Sequence, residues 1–228
     1  MVKQIPNKWF YFGVVLLSVY FVVRLVDQFQ ITSMFPLDTT NDISNYLFML
    51  HSFGEFSYLS LVNYWYNGFI LFSVYPPGWF FFVYPLYLVF KDVLVVSYLS
   101  LIIQYVLGLL ILVYFFRKVG FGWFKGFIFF VLFFMNPIAI GNFIRLMRLP
   151  SMLGWVLFIA IAFLIFYYKD RDLDKWFLLV VPLYAALIFT HQTEAILIHF
   201  LVLGLLLVKP WRERIYIVLS LVLGLLLS

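Results

Sequence analysis

The chain has 228 residues, of which 66% are hydrophobic and only 11% are charged. A soluble domain carries about 25% charged residues, so this composition excludes an ordinary water-soluble fold. The formal net charge is +5, but most basic residues fall in short segments between apolar runs, so the charge does not indicate nucleic-acid binding. Because the chain has no cysteine, disulfides, thiolate metal sites and a cysteine nucleophile are excluded.

Apolar runs of membrane-crossing length follow one another along the chain. A bilayer core of about 30 Å needs about 20 residues of helix, so we predict an all-α, polytopic transmembrane helical bundle of about seven spans. The predicted spans are 9–26, 93–116, 126–143, 151–168, 177–190, 195–208 and 215–228. The last run is too short for a complete span, so we expect residues 1–228 to be an N-terminal part of a longer protein.

Basic residues between the runs predict the orientation, because cytoplasmic loops are enriched in Lys and Arg. They form four groups, which we place on the cytoplasmic side with the N-terminus: Lys3 and Lys8; Arg117, Lys118 and Lys125; Lys169, Arg171 and Lys175; and Lys209, Arg212 and Arg214. An even number of crossings must then separate neighbouring groups. The short run 79–90 therefore does not cross in this interpretation.

Run 79–90 follows the helix-breaking sequence 75–78 (Tyr-Pro-Pro-Gly) and contains Pro85. We predict an interfacial or re-entrant helix on the outer side, which is tolerated only where protein or a water-filled cavity covers the backbone. A complete eighth crossing is the alternative. With the first interpretation, residues 27–92 form one long outer loop, and loops of that length are usually functional.

The early part of this loop carries acidic residues and an amphipathic pattern. Apolar residues recur every three or four positions from Ile43, so we predict a surface helix that Asn41 or Asp42 caps. Capping alone is the alternative role for Asp42, and a solvated turn is the alternative for Asp38. His51 and Glu55 are spaced for an i, i+4 pair, either at the edge of a substrate cavity or simply on the surface.

A family resemblance follows from the layout of roughly the first 150 residues. A first span, an outer loop with an acidic residue near a tyrosine, the stretch 53–58 (Phe-Gly-Glu-Phe-Ser-Tyr) and then the Tyr-Pro-Pro sequence at 75–77 resemble the GT-C superfamily. These are membrane glycosyltransferases that use polyprenyl-phosphate-linked sugars. The resemblance implies that the acidic residue of the first outer loop is the catalytic base or helps to hold a metal. That role falls on Asp42, with Asp38 as substitute. The second outer loop, 141–150, departs from the pattern because it has no carboxylate.

Transfer from a lipid phosphate also needs positive charge around the departing phosphate. Arg145 and Arg148 are three residues apart, so a helical turn is expected to put both guanidiniums on one face, where they could bind phosphate oxygens. Snorkelling to outer lipid headgroups is the alternative for both. Lys91 is a third candidate for the phosphate, and an ordinary charge pair with Asp92 is its alternative role.

The polar segment 190–194 is the second candidate constellation. His191 and Glu194 line either a cavity or a plain outer turn, and with a carboxylate such as Asp42 they could bind a divalent metal. His199 lies inside a predicted span, where a hydrogen bond to a neighbouring helix is the simpler explanation. Tyr64 and Trp65 in the outer loop could stack on a sugar, although interfacial anchoring also explains them.

These observations favour an integral membrane glycosyltransferase. It would move a sugar from a polyprenyl-phosphate-linked donor to an acceptor on the extracytoplasmic side, with membrane lipids and that donor as partners and with no nucleic acid. Metal dependence stays open. The alternatives are a transporter, for which the spans carry few charged residues, and a non-catalytic membrane subunit, which leaves the outer polar residues unexplained.

Overall fold

The computed structural model describes residues 7–32, 41–56, 58–63, 68–73 and 75–228. Asp38, Tyr64 and Trp65 lie outside these residues, so the predictions for them stay predictions. In the described residues the chain is almost entirely helical, as predicted.

The helices are α1 (Asn7–Thr32), α2 (Asn41–Phe56), α3 (Gly78–Phe90), α4 (Val93–Lys118), α5 (Trp123–Phe134), α6 (Pro137–Ala139), α7 (Leu149–Tyr168), α8 (Val180–Thr190), α9 (Gln192–Val208) and α10 (Trp211–Leu226). A π-helix (Ile140–Arg145) continues α6, and a 3-10 helix (Lys175–Leu179) precedes α8. A short antiparallel hairpin of β1 (Leu61–Val62) and β2 (Phe69–Ile70) lies between α2 and α3, with Leu61 opposite Ile70. The sequence analysis did not predict this hairpin.

Three helical segments are long and apolar enough to cross a membrane: Lys8–Gln30, Val93–Lys118 and Leu149–Tyr168. The segments Trp123–Phe134 and Pro137–Arg145 together make a fourth if their 54° bend is counted within one span. The other three predicted spans are also helical but shorter. This is the architecture of a helical membrane protein. Helix α3 has 13 residues, so at 1.5 Å per residue it extends about 20 Å, which is shorter than the bilayer core, as is the 11-residue α8.

The described helices divide between two compact units. Unit 1 combines Met1–Leu47 with Ser97–Arg148, and unit 2 combines Phe48–Val96 with Leu149–Ser228. Helix α2 begins in unit 1 and ends in unit 2.

In unit 1, α1 and α4 run in opposite directions. The Tyr98 hydroxyl, near the start of α4, donates a hydrogen bond of 2.9 Å to the Leu25 carbonyl, near the end of α1. Further along, the Phe21 and Tyr105 rings pack edge to face with centroids 4.7 Å apart. The end of α1 and the start of α4 therefore lie at the same end of unit 1.

Helix α5 runs against α4 and alongside α1. Gly126 near the start of α5 packs on α4 so closely that a Cβ there would lie 2.9 Å from the Leu112 carbonyl oxygen and from the Val113 Cα. The Tyr11 and Phe124 rings, at the starts of α1 and α5, have centroids 5.8 Å apart. The basic residues at the start of α1, the end of α4 and the start of α5 therefore lie at one end of unit 1.

In unit 2, polar contacts join α7 and α9 at both of their ends. Lys209, after α9, is 5% exposed, donates a hydrogen bond to the Arg171 carbonyl after α7, and pairs with Glu213 at 3.0 Å. At the other end, the Ser151 hydroxyl in the first turn of α7 donates to Glu194 in the first turn of α9 at 3.0 Å. Helices α7 and α9 thus run in the same direction, with α8 returning between them. Two of the predicted cytoplasmic groups meet in one contact.

Helix α3 meets the end of unit 2 where α8 passes into α9. A Cβ on Gly78 would lie 2.6 Å from the Thr190 hydroxyl oxygen and 2.7 Å from the Phe189 carbonyl oxygen. Only glycine allows this approach, so the sequence that begins α3 also fixes where α3 packs. The helix predicted to mark a site therefore starts beside the polar segment 190–194.

We expect Gly126→Ala to destabilise the protein by about 1–3 kcal/mol, because the added methyl collides with the α4 backbone. The matched control is Gly13→Ala in α1, where a Cβ meets nothing within 4 Å. Thermal unfolding in detergent should show a lower midpoint for the first variant and an unchanged or higher one for the control. Equal midpoints for the two variants would contradict the close contact of α4 and α5.

Candidate functional site

An acidic residue and an arginine from distant parts of the sequence meet in unit 1. Asp42 lies in the first turn of α2, and its Oδ2 is 3.3 Å from Nε of Arg148, which follows the π-helix. The two side chains are 46% and 49% exposed. Exposed ion pairs contribute about 0–1 kcal/mol, so this contact adds little to stability. The pair leaves both charges within reach of a ligand.

The segment that presents Arg148 is irregular from its start. The Asn136 side chain accepts hydrogen bonds of 3.0 Å from the Ile138 and Ala139 amides, and Pro137 occupies the first turn that Asn136 caps. The α6–π-helix segment therefore begins anew after α5 with the 54° bend. π-Helical turns are uncommon and concentrate at functional sites. Such backbone at membrane depth is tolerated where it is covered by protein or lines a cavity.

The same segment ends in a second irregularity. Met147 is left-handed with φ of 48°, and the Arg148 amide donates to the Asn142 carbonyl at 3.2 Å. Positive φ in a residue that is not glycine costs energy and clusters at functional sites. Arg145 is the last π-helical residue and is exposed. No regular helical turn joins Arg145 to Arg148, because the left-handed Met147 lies between them, and the prediction of a common face therefore loses its helical basis.

A second polar cluster lies in unit 2, at the α8–α9 turn. Glu194 is only 2% exposed, and its Oε1 accepts from the Ser151 hydroxyl while its Oε2 contacts Nδ1 of His191. Gly154 closes over the pair, since a Cβ there would lie 3.2 Å from Oε2 of Glu194. Sequence patterns predicted His191 and Glu194 as site residues but did not predict Ser151. Ser151 and Gly154 are small residues three apart in an apolar span, a pattern that is typical of close helix contacts and could have predicted this one.

The other candidates take ordinary roles in the described residues. His51 and Glu55 form the predicted pair at 3.1 Å, and both are about half exposed. Lys91 is a left-handed C-cap of α3 whose ammonium lies 5.8 Å from the centre of the Tyr87 ring. Asp92 accepts from two amides in the first turn of α4 at 2.8 and 3.0 Å, so it acts as a helix cap.

Two predictions about polar groups near or within spans are confirmed. Arg24 and Asp27 form an ion pair at 3.1 Å. Nε2 of His199 in α9 lies 2.7 Å from the Tyr184 hydroxyl of α8. Both residues of each pair therefore have a polar partner, and neither pair needs a ligand to explain it.

The described residues do not fit a metal site. No group of three or more His, Asp or Glu side chains that could hold a metal ion occurs among them. A metal at His191 and Glu194 would also compete with the contact these side chains make with each other. Among the described residues, Asp42, His191 and Glu194 therefore do not form the ligand set predicted for a divalent metal.

An open cleft of about 510 Å³ lies on the last turns of α4, lined by Leu110, Val113, Tyr114, Arg117 and Lys118. These residues belong to the basic end of unit 1, where α4 ends. The end of α1, which precedes Asp42, lies beside the start of α4, at the opposite end of that helix. Neither Asp42 nor Arg148 lines this cleft.

No family model, curated protein or solved structure matches this chain. The resemblance to the GT-C superfamily therefore rests on the sequence pattern alone.

Proposed function

We propose that this chain is a membrane glycosyltransferase of the GT-C kind, which moves a sugar from a polyprenyl-phosphate-linked donor to an acceptor hydroxyl. The observation that supports it best is the Asp42–Arg148 ion pair. Transfer needs a carboxylate base and a cation for the leaving phosphate. The family resemblance predicts the first role for Asp42, and the charge of the leaving phosphate predicts the second for Arg148. An exposed carboxylate and an exposed guanidinium in contact supply both.

In this mechanism the acceptor hydroxyl gives its proton to the Asp42 carboxylate. The acceptor oxygen forms a bond to the anomeric carbon while the bond from that carbon to the phosphate oxygen breaks. The lipid phosphate departs with the electron pair and one more negative charge. Arg148 stabilises that charge.

The ion pair also suggests an order of events. A carboxylate that holds a guanidinium cannot take a proton without ending that attraction. A phosphate, which offers more acceptor oxygens and more charge, competes with Asp42 for Arg148. Donor binding would thus draw Arg148 away from Asp42 and leave the carboxylate ready to accept a proton. Without a donor the Asp42 carboxylate stays paired with Arg148.

The finer topology belongs to the same proposal. Seven spans with a cytoplasmic N-terminus require α8, α9 and α10 to cross although they are short, and shorter helices are accommodated by local thinning of the bilayer. The positions of charged residues at the helix ends within each unit support this topology. Basic residues gather where α4 meets α5, and Lys209 contacts the segment after α7, while Asp42 and Glu194 lie at helix ends away from these contacts.

We expect Asp42→Asn to lower sugar transfer about 10²–10⁴-fold, since the amide cannot accept the proton. The assay supplies a panel of polyprenyl-phosphate-linked hexoses to membranes that contain the protein. The matched control is Asp27→Asn, which breaks a pair of the same chemistry, with Arg24, in the same unit. Full activity in Asp42→Asn at equal protein levels would remove Asp42 as the base.

The absence of cysteine makes the orientation easy to test. We expect Ser44→Cys in α2 and Thr193→Cys at the start of α9, both at exposed positions, to react with a membrane-impermeant maleimide added outside intact cells. Asp172→Cys should react only after the membrane is opened. Labelling of Asp172→Cys in intact cells would reverse the orientation.

A further inference from the structure

The cleft on the last turns of α4 has no role in the mechanism above. Its volume of about 510 Å³ lies within the range of about 300–1,000 Å³ that ligand sites occupy in proteins. Residues three, four, seven and eight apart lie on one side of a helix, and the lining residues have this spacing. They are Leu110, Val113, Tyr114, Arg117 and Lys118. The cleft therefore runs along one face of α4.

The cleft changes from apolar to cationic along the axis of α4. Leu110 and Tyr114, which are 57% and 68% exposed, lie within the candidate span Val93–Lys118, and the two cations occupy its last two positions. Seven residues separate Leu110 from Arg117, or about 10 Å at 1.5 Å per residue. A phospholipid has the same order, with acyl chains in the bilayer core and a phosphate at its surface.

Helix α4 does not need the two cations to complete its own hydrogen bonding. Its last carbonyls accept from backbone amides: Phe115 from Val119 at 3.0 Å, Phe116 from Phe121 at 2.9 Å and Arg117 from Gly120 at 3.1 Å. Within the described part of the chain, the Arg117 and Lys118 side chains have no ion-pair or hydrogen-bond partner, and both are exposed. Their donors are therefore available to an anion.

No carboxylate of unit 1 competes for these cations in the described residues. The segment 97–148 contains neither Asp nor Glu. Asp27 is paired with Arg24, and Asp42 is paired with Arg148. The cleft therefore carries an unopposed positive charge, which attracts an anion.

The basic segments of unit 2 differ in this respect. Segment 169–175 has three carboxylates among its cations, at positions 170, 172 and 174. Lys209 in the last basic segment pairs with Glu213 at 3.0 Å. Of the three basic segments that follow the first predicted span, 117–125 is thus the one without a carboxylate. A general basic enrichment at helix ends does not account for this difference.

We propose that the α4 cleft binds an anionic phospholipid. Arg117 and Lys118 donate hydrogen bonds to its phosphate, and an acyl chain lies along Leu110 and Val113. A free phosphate would leave the apolar part of the cleft unused. Because Arg148 does not line the cleft, this site does not rest on sugar transfer, and its test does not measure that activity.

The experiment is native mass spectrometry of the purified full chain with phosphatidylglycerol in one arm and phosphatidylcholine in the other, both with the same acyl chains. The first lipid has a net negative charge and the second has none. We expect the native chain to bind phosphatidylglycerol with a lower Kd. Arg117→Gln/Lys118→Gln should raise that Kd about 10–30-fold, towards the value for phosphatidylcholine. If the double variant does not fold, the two single variants replace it.

The matched control is Lys169→Gln/Arg171→Gln, which removes the same charge from exposed positions in the segment that contains carboxylates. It should keep the preference. Leu110→Trp fills the apolar part of the cleft without changing the charge, so it should weaken phosphatidylglycerol binding. Arg148→Gln should leave this binding unchanged.

Four outcomes overturn the proposal. One is equal affinity of the native chain for the two lipids. Another is an equal loss in Lys169→Gln/Arg171→Gln, which would show a response to total charge alone. Full binding in Leu110→Trp would assign the cations to free phosphate or to headgroups in general. A loss in Arg148→Gln would place the phospholipid at the donor site instead.

Discussion

The bilayer core offers no water to polar groups, so polar side chains at membrane depth need protein partners or access to the surface. Within the described spans, His199 is paired with Tyr184, whereas the buried Ser97, Gln104 and Tyr105 side-chain polar atoms of α4 make no hydrogen bond. At the ends of unit 2, Lys209 and Glu194 are buried because each has two partners. Asp42 and Arg148 differ, since their pair is exposed and stability does not require it. Exposure at that position is what makes the pair available to a ligand.

Close helix packing supports both polar clusters. Glycines allow α5 to lie on α4, α3 to start against α8, and α7 to press on the His191–Glu194 contact, through Gly126, Gly78 and Gly154 respectively. Small residues are the usual means of packing membrane helices, because lipid supplies no hydrophobic force between them. In unit 1, α5 packs closely on α4 at its start and is followed at its end by an irregular segment. That segment, with its π-helix and left-handed Met147, presents Arg148 to Asp42.

Sequence patterns predicted the helical membrane class, the short helix α3, the amphipathic helix α2 and the pairs His51–Glu55 and Arg24–Asp27. These depend on composition, run length or residues a turn apart, which sequence records directly. The contact of Asp42 with Arg148 and the Ser151–Glu194 bond join distant segments, so only packing could reveal them. The regular helical turn expected between Arg145 and Arg148 is absent, because a π-helix followed by positive φ breaks the helical period.

The central claim is that Arg148 binds the phosphate of a polyprenyl-phosphate donor. The most direct test compares binding of a polyprenyl phosphate and the matching polyprenol, which has the same chain without the phosphate, to the purified protein. We expect the native chain to prefer the phosphate and Arg148→Gln to lose that preference, while Arg24→Gln keeps it. An unchanged preference in Arg148→Gln, or none in the native chain, would contradict the account.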